Sequence, residues 1–267
     1  MTRDQGNDES DEGALRELLE AVAAGRRPVD EALDELREHG LTEIGDFARL
    51  DVGRHRRKGV PEIVFAPGKS ADQLAAIVGA FLKRSPSVLC TKVSPQQAAA
   101  VAAVERDGRV AFDARSGVLV ARRSDFTAPE PVGLVGIVAA GTSDVPVAEE
   151  AAAVCREMAV AVMTAYDVGV AGMHRLARPL QTILEAGAAC LVVAAGMEGA
   201  LPAVVTGLVD VPVIGLPTST GYGLGGRGEA ALLSMLQTCS PGLAVVNVDN
   251  GVGAGVTAAL IARRGAA

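Results

Sequence analysis

Apolar and polar positions repeat along the second half of the chain in a regular rhythm of strand and helix. Runs rich in Val, Ile and Ala predict buried strands at 134–140, 161–166, 189–195, 211–216 and 243–248. Amphipathic segments predict the intervening helices at about 146–158, 174–186, 197–207, 226–238 and 252–263. Five strand–helix units of this kind predict an α/β fold with a doubly wound, Rossmann-like parallel sheet covered by helices on both faces.

The first half of the chain has a less regular pattern. Two short amphipathic helical segments lie within residues 10–40. The further predicted elements are a strand at 62–66, a helix from Ser70 to Arg84, a strand at 87–93, a helix capped by Ser94 and a hairpin around Asp113 to Gly117. We therefore predict a helical, partly disordered segment (1–44), a small α/β module (45–128) and, after a polar, proline-bearing linker, an α/β domain (129–267).

Composition narrows the class of protein. The chain is 49% hydrophobic but only 3% aromatic, so its core must consist of Ala, Val, Leu and Ile. Its net charge of −7 argues against a nucleic-acid partner, which requires a basic surface. No apolar run reaches the roughly 18 residues of a membrane span, and the acidic N-terminus lacks a signal-peptide pattern. These features predict a cytoplasmic protein that acts without a membrane.

Small and polar residues follow each predicted strand of the second half. The first strand ends in Gly141-Thr142-Ser143-Asp144, and the stretch after the second strand ends at His174. The later strands are followed by Gly196 to Gly199, Pro217 to Gly223 and Asp249 to Gly253. Ligands of such sheets bind at the carboxyl ends of the strands, where helix N-termini can hold anions. We expect a functional site there, with Ser143 or Asp144 also capping a helix.

The four cysteines are far apart and form no C-x-x-C pair, which argues against zinc ligation and a disulfide framework. Cys90, Cys155 and Cys190 lie in apolar patterns and are predicted to pack in the core. Cys239 differs, because it follows a predicted helix and precedes Pro241-Gly242. Without other information, it is interpreted as a small residue at a helix end.

The motifs resemble those of a known enzyme class. Gly141-Thr142-Ser143-Asp144, Ala171-Gly172-Met173-His174-Arg175 and the loop from Pro217 to Gly223 resemble phosphoribosylaminoimidazole carboxylases and mutases. Over about residues 45–267, the chain more closely resembles the LarB family, the carboxylase/hydrolases of nickel-pincer cofactor biosynthesis. That resemblance rests on Asp51, Arg54, Arg57, Gly59, Pro61-Glu62, Gly68-Lys69, Thr238-Cys239-Ser240 and Asn247 to Gly251.

The resemblance implies a specific reaction. Nicotinic acid adenine dinucleotide would be carboxylated by CO2 at carbon 5 of its pyridinium ring, and its phosphoanhydride would be hydrolysed. The products would be pyridinium-3,5-biscarboxylic acid mononucleotide and AMP, formed through a covalent adduct with Cys239. No organic cofactor is expected, since the dinucleotide is the substrate. Mg²⁺ is expected for the hydrolysis, but the sequence shows no ligand cluster for it.

The resemblance also implies roles for individual residues. Catalytic roles are expected for Cys239, His174, Asp144 and Ser143. Glu198 is added as the candidate base for the ring proton, because it lies between Gly196 and Gly199 after a predicted strand. Substrate binding is expected of Gly141, Thr142, Thr218, Ser219, Gly221, Tyr222, Gly223, Asn250, Gly251, Arg54, Arg57 and Lys69. Structural alternatives stay open: His174 could simply start a helix, Glu198 could complement a helix dipole, and the basic residues could form a solvated surface.

The position of Cys239 raises two difficulties for this mechanism. The end of a helix is negative and disfavours a thiolate, and a residue that precedes a strand lies at the amino edge of the sheet. Both ease if Cys239 serves a neighbouring subunit, so we expect a homo-oligomer, a tetramer or octamer, with composite active sites. Two alternatives remain at this point: a purine-pathway carboxylase or mutase acting on aminoimidazole ribonucleotide, and a dinucleotide-binding module without catalysis.

Overall fold

The computed structural model describes residues 13, 16–32, 41–44, 48–51, 59–105 and 109–266. Contacts divide the chain into two compact units, Met1–Arg57 and Lys58–Ala267. In the first unit, residues 16–23 are helical, and strand β1 (Leu41–Ile44) pairs antiparallel with β2 (Ala48–Asp51). No helix within the described ranges is both long and apolar enough to span a membrane.

The second unit begins with a four-stranded mixed sheet in the order β3-β4-β6-β5. Its elements are β3 (Ile63–Phe65), α1 (Ala71–Leu82), β4 (Ser87–Thr91), α2 (Pro95–Val104), β5 (Arg109–Asp113) and β6 (Val118–Arg122). The hydroxyls of Ser70 and Ser94 accept hydrogen bonds from backbone N–H groups of the first turns of α1 and α2, as predicted. The strand predicted at 87–93 ends at Thr91, because Lys92 adopts a left-handed φ of 56°.

A five-stranded parallel sheet follows and confirms the predicted fold class. Its strands are β7 (Leu134–Ala139), β8 (Ala161–Ala165), β9 (Cys190–Ala195), β10 (Val213–Pro217) and β11 (Leu243–Val245), in the order β11-β10-β9-β7-β8. Its helices are α3 (Val145–Glu157), α4 (His174–Glu185), α5 (Ala200–Thr206), α6 (Glu229–Leu236) and α7 (Gly251–Gly265). The strand order reverses between β7 and β9, and such a switch point opens a crevice at the carboxyl ends of the strands.

Helices cover both faces of this sheet. Ile137, Val192 and Ile214 pack against α3 and α7 on one face, whereas Val138 and Val193 point to the other. The second face is covered by α4, α5 and α6. A Cβ at Gly255 of α7 would lie 2.6 Å from the carbonyl oxygen of Ala151, so the glycine allows α3 and α7 to approach closely. This small-residue packing explains how a core with few aromatic residues closes.

The mixed sheet packs against the α3 and α7 side of the parallel sheet. Leu89 and Val118 join the apolar cluster formed by these helices. Arg122 of β6 forms an ion pair with Glu157 at the end of α3, and Arg263 Nη1 donates to the carbonyl oxygen of Gly59 at 3.2 Å. The predicted division into segments 1–44, 45–128 and 129–267 stays a prediction.

Candidate active site

The loops that follow β7, β8, β9, β10 and β11 at the carboxyl edge of the parallel sheet are numbered first to fifth. Asp144 lies in the first loop and contacts the fourth. It is 5% exposed. Its Oδ1 accepts hydrogen bonds from the hydroxyls of Thr218, at 2.6 Å, and Thr220, at 2.9 Å. Its Oδ2 accepts from the backbone N–H of Gly141 at 2.8 Å. Three donors therefore hold a buried carboxylate at the switch point of the sheet.

This arrangement corrects the expectation that Ser143 or Asp144 caps the following helix. Neither side chain accepts a hydrogen bond from the first turn of α3. Residues Thr142–Asp144 instead form a short 3₁₀ turn, which directs the Asp144 carboxylate back to Gly141 and across to the fourth loop. The hydroxyls of Thr218 and Thr220 thus compete successfully with the helix for this acceptor.

Two glycines bring the third loop against the same cluster. A Cβ at Gly196 would lie 2.4 Å from Thr220 Oγ1 and 2.9 Å from Thr218 Oγ1. A Cβ at Gly221 would lie 3.0 Å from the backbone nitrogen of Met197, which itself adopts a left-handed φ of 50°. The third and fourth loops can approach each other this closely only because these positions carry no side chain.

The second and fifth loops complete the edge. A Cβ at Gly169 would lie 2.8 Å from the carbonyl oxygen of Ala140, so the second loop touches the end of β7. The backbone N–H of Ser219 donates to Asp249 Oδ1 at 2.9 Å, which joins the fourth and fifth loops. Asn250 Oδ1 accepts from the Gly253 N–H at 2.8 Å and caps α7. All five loops are therefore connected by contacts within the chain.

Several predicted site residues are exposed on this edge. His174 is the first residue of α4, and Glu198 lies in the turn before α5. The exposed predicted residues are Thr142, Ser143, His174, Glu198, Ser219, Tyr222 and Gly223. Next to His174, Arg175 Nη1 donates to Asp167 Oδ2 at 2.5 Å, a pair that sequence reasoning did not identify. The edge offers hydroxyls, an imidazole, a carboxylate and backbone N–H groups to a polar ligand.

Other predicted residues lie elsewhere. Cys239 is exposed in the connection between α6 and β11, which places it at the amino edge of the sheet. Lys69 follows β3 in the N-terminal module, and its Nζ donates to the carbonyl oxygen of Phe65 at 2.6 Å. Arg54 and Arg57 lie outside the described residues, so their predicted role in substrate binding stays a prediction.

The four cysteines differ in their exposure to solvent. Cys90, Cys155 and Cys190 are fully buried, and burial raises the pKa of each thiol to about 12. A thiol with such a high pKa is a poor source of thiolate at neutral pH. Cys239 is exposed. It is therefore the cysteine whose surroundings allow contact with a substrate.

A second buried carboxylate near the same edge escaped the sequence analysis. Glu150 of α3 is 2% exposed, and Lys92 Nζ lies 3.2 Å from its Oε2. Burial raises the pKa of Glu150, while the ammonium of Lys92 opposes that shift. The signal was present in the sequence, because Glu150 falls on the apolar face of α3 with Val147 and Val154.

The described residues contain no group of three or more His, Cys, Asp and Glu side chains placed to hold a metal ion. The site therefore does not fit a magnesium ion held by protein side chains alone within those ranges. A magnesium ion could still be bound through the phosphates of a nucleotide.

Comparisons with known proteins agree with this architecture. Residues 41–123 match the LarB/PurE-like N-terminal domain, and residues 134–266 match AIR carboxylase. The uncharacterized protein MJ0165 of Methanocaldococcus jannaschii is 40% identical over 93% of this chain and 97% of its own length. The N5-carboxyaminoimidazole ribonucleotide mutase of Synechocystis is 34% identical over 51% of this chain and 75% of its own length. The mutase of the same name from Pyrococcus abyssi is 34% identical over 48% of this chain and 70% of its own length.

The two matched regions correspond to the two sheets of the second unit, except that the first match also includes β1 and β2. The mutases align with about half of the chain, whereas the Methanocaldococcus jannaschii relative aligns with nearly all of it. The C-terminal domain is thus of the carboxylase/mutase type, which is enzymatic, and the chain belongs to the LarB family, in which a LarB/PurE-like N-terminal domain precedes an AIR carboxylase domain.

Proposed function

We propose that this enzyme carboxylates carbon 5 of the pyridinium ring of nicotinic acid adenine dinucleotide and hydrolyses its phosphoanhydride. The products are pyridinium-3,5-biscarboxylic acid mononucleotide and AMP, the first step toward a nickel-pincer cofactor. The observation that carries this proposal is the pairing of the LarB/PurE-like N-terminal domain with a carboxylase-type domain in one chain. The exposed Cys239 supports it, because this chemistry requires a thiolate.

The proposed carboxylation needs a covalent intermediate, because an electron-poor pyridinium ring does not attack CO2. The Cys239 thiolate adds to the ring carbon opposite the nitrogen, and the ring becomes a neutral enamine whose carbon 5 is nucleophilic. Carbon 5 bonds to CO2, and a base removes the proton from that carbon. The electron pair of that C–H bond restores the aromatic ring as the C–S bond breaks and the thiolate leaves.

The carboxyl edge of the sheet supplies groups for the other steps. Glu198 is exposed beside the switch point and is the proposed base for the ring proton. His174, Ser143 and Thr142 are the proposed contacts for CO2 and the substrate carboxylate. In the hydrolysis, water attacks a phosphorus atom and AMP leaves. Mg²⁺ bound to the diphosphate would lower the charge on the phosphate oxygens.

We further propose that the active site is composite, with Cys239 supplied by a second copy of the chain in a homo-oligomer. The thiol lies at the edge of the sheet opposite the five loops. Leu233 and Leu236 of α6 are 64% and 63% exposed, and Leu208 after α5 is 60% exposed. The connection that carries Cys239 is bound to α5 through Ser240 Oγ, which donates to the Ala203 carbonyl oxygen at 3.0 Å. Exposed apolar side chains near the thiol favour burial against another copy.

Mass spectrometry of the reaction products tests this proposal. The purified chain is incubated with nicotinic acid adenine dinucleotide, ¹³C-bicarbonate and Mg²⁺. We expect AMP together with a mononucleotide that has gained one ¹³C-labelled carboxylate. Unlabelled products, or a dinucleotide that is bound but recovered intact, would refute the proposal.

One competing function is favoured by a specific observation, the 34% identity to two N5-carboxyaminoimidazole ribonucleotide mutases over the C-terminal domain. The same incubation with carboxyaminoimidazole ribonucleotide in place of the dinucleotide distinguishes this function from the proposed carboxylation of the dinucleotide. Turnover of that substrate alone would favour the purine-pathway reaction.

A further inference from the structure

An ion pair between a partly exposed lysine and a buried glutamate lies beside the fifth loop, and neither the sequence motifs nor the proposed chemistry uses it. Lys92 Nζ is 3.2 Å from Oε2 of Glu150, a residue that is 2% exposed. Lys92 directly follows β4 of the LarB/PurE-like domain, whereas Glu150 lies on α3 of the carboxylase domain. The pair therefore links the two domains that together define the family.

Glu150 also reaches the start of α7, at the end of the fifth loop. A Cβ at Gly251 would lie 2.6 Å from Glu150 Oε2, so only glycine lets the helix begin this close to the carboxylate. Burial raises the pKa of Glu150, and the Lys92 ammonium opposes that effect. The carboxylate thus lies between the ammonium of the N-terminal domain and the backbone at the start of α7.

The contact continues from Gly251 into the candidate active site. Asp249, two residues earlier, adopts a left-handed φ of 56°, and its N–H donates to the Pro217 carbonyl oxygen at 2.9 Å. Its Oδ1 accepts from the Ser219 N–H at 2.9 Å. A strained backbone persists only where its surroundings hold it. A shift of the fifth loop would therefore move the fourth loop, which carries the predicted substrate contacts.

Contacts within the N-terminal domain hold the backbone of Lys92 in place. Its φ of 56° is unusual for a residue with a side chain. The N–H of Val93 donates to the Gly117 carbonyl oxygen at 2.8 Å, and a Cβ at Gly117 would lie 3.3 Å from the Cα of Lys92. The hairpin between β5 and β6 thus fixes the backbone from which the ammonium reaches Glu150.

We propose that Lys92 and Glu150 are positioning residues through which the N-terminal domain holds the fifth loop in the shape that the active site requires. Lys92 compensates the buried charge of Glu150, and the Glu150 carboxylate packs against Gly251. Without the ammonium, the carboxylate is left as an uncompensated buried charge and moves toward solvent, which removes this packing at the start of α7. The consequence for substrate rests on the proposed function, but the consequence for the loop does not.

Amide hydrogen exchange measured by mass spectrometry tests the effect on the loop. Lys92→Met keeps an unbranched side chain and removes the charge. We expect peptides covering 247–253 to exchange about tenfold faster in this variant. The matched control is Arg123→Met, which removes an exposed ion pair with Asp125 in the same domain and should leave that exchange unchanged. Wild-type exchange in Lys92→Met would overturn the proposal.

Two further variants separate charge from packing. Lys92→Arg keeps the positive charge and should exchange much as the wild-type chain does. In Lys92→Met/Glu150→Gln no buried charge remains, so the loop should exchange more slowly than in Lys92→Met alone. Equal or faster exchange in the double variant would show that the pair acts through packing, contrary to the proposal.

Steady-state kinetics test the consequence for the substrate. We expect Lys92→Met to raise KM for nicotinic acid adenine dinucleotide several-fold while kcat changes little, because the catalytic side chains stay in place. An unchanged KM would refute the link to substrate binding. A wild-type chain without turnover would refute the proposed function instead, and hydrogen exchange would still decide on the ion pair.

Discussion

The two edges of the parallel sheet differ in how many of their polar side chains have hydrogen-bond partners within the chain. At the carboxyl edge, Asp144 accepts hydrogen bonds from Gly141, Thr218 and Thr220, and contacts within the chain join all five loops. At the amino edge, Cys239 is exposed in a connection between α6 and β11. Contacts within the chain therefore hold the carboxyl edge in one arrangement, whereas the amino edge presents a thiol to solvent.

This difference explains why the proposed reaction needs more than one copy of the chain. Loops that are already ordered can position a substrate without losing further conformational entropy when it binds. A thiol on the opposite edge cannot reach that substrate within the same sheet. In the proposed function, substrate positioning therefore belongs to one chain and covalent attack to another.

Replacement of the thiol should have the largest effect. Cys239→Ser is expected to lower the rate of carboxylation by about 10³-fold or more, because a serine hydroxyl is a much weaker nucleophile than a thiolate. Mass spectrometry of labelled product measures this rate. Cys190→Ala, which removes a buried thiol, is the control and should retain carboxylation. An unimpaired Cys239→Ser enzyme would refute the covalent mechanism.

Mixed oligomers show whether the two edges come from different chains. Cys239→Ser and His174→Ala, each of which we expect to be inactive by itself, are mixed, dissociated and reassembled. Composite sites predict partial recovery of activity, because some sites then combine an intact carboxyl edge with an intact thiol. No recovery, or full activity in a purified monomer, would show that one chain forms the whole site.

Crowding of the carboxyl edge should have an intermediate effect. In Gly196→Ala the new Cβ would lie 2.4 Å from Thr220 Oγ1 and 3.3 Å from Asp144 Oδ1, so the hydrogen bonds that hold Asp144 must shift. We expect the free energy of unfolding to fall by about 1–3 kcal/mol, together with a loss of activity. Urea unfolding measures the change in the free energy of unfolding.

The matched control is Gly207→Ala, where the nearest atom would be 3.5 Å from the new Cβ and the backbone is compatible with alanine. It should leave stability within about 0.5 kcal/mol of the wild-type value. Equal losses in the two variants would mean that Gly196 has no special role at the edge.

Titration of Glu150 should have the smallest effect. Burial raises its pKa above the ordinary 4.5, although Lys92 lowers it, and Asp249 nearby raises it further. The folded state therefore binds the proton more tightly than the unfolded state, and this contribution to stability is lost as pH rises through the folded pKa. Urea unfolding across that range should show the wild-type chain losing stability relative to Glu150→Gln. The same substitution at the exposed Glu185 is the control, and parallel curves for all three proteins would contradict the expectation.

The fold and the polar loops after its strands were predictable because they depend on local pattern, and the place of the active site among them stays a prediction. The Val-rich runs, including the one that became β9, alternate with amphipathic segments, and this rhythm specifies a parallel sheet. The rule that ligands bind at carboxyl ends then located the five loops. The partners of Asp144 were not predictable, because Thr218 and Thr220 lie far along the chain, and a local helix cap was the simpler expectation.

The sequence by itself determined the strand and helix rhythm, the small residues at the carboxyl edge and the single cysteine outside an apolar pattern. Only the tertiary structure decided which carboxylates are buried and what compensates them: hydroxyls and a backbone N–H for Asp144, and the ammonium of Lys92 for Glu150. The physical reason is that periodicity is a local property of the chain. Compensation of a buried charge depends on residues that meet only when both sheets have formed.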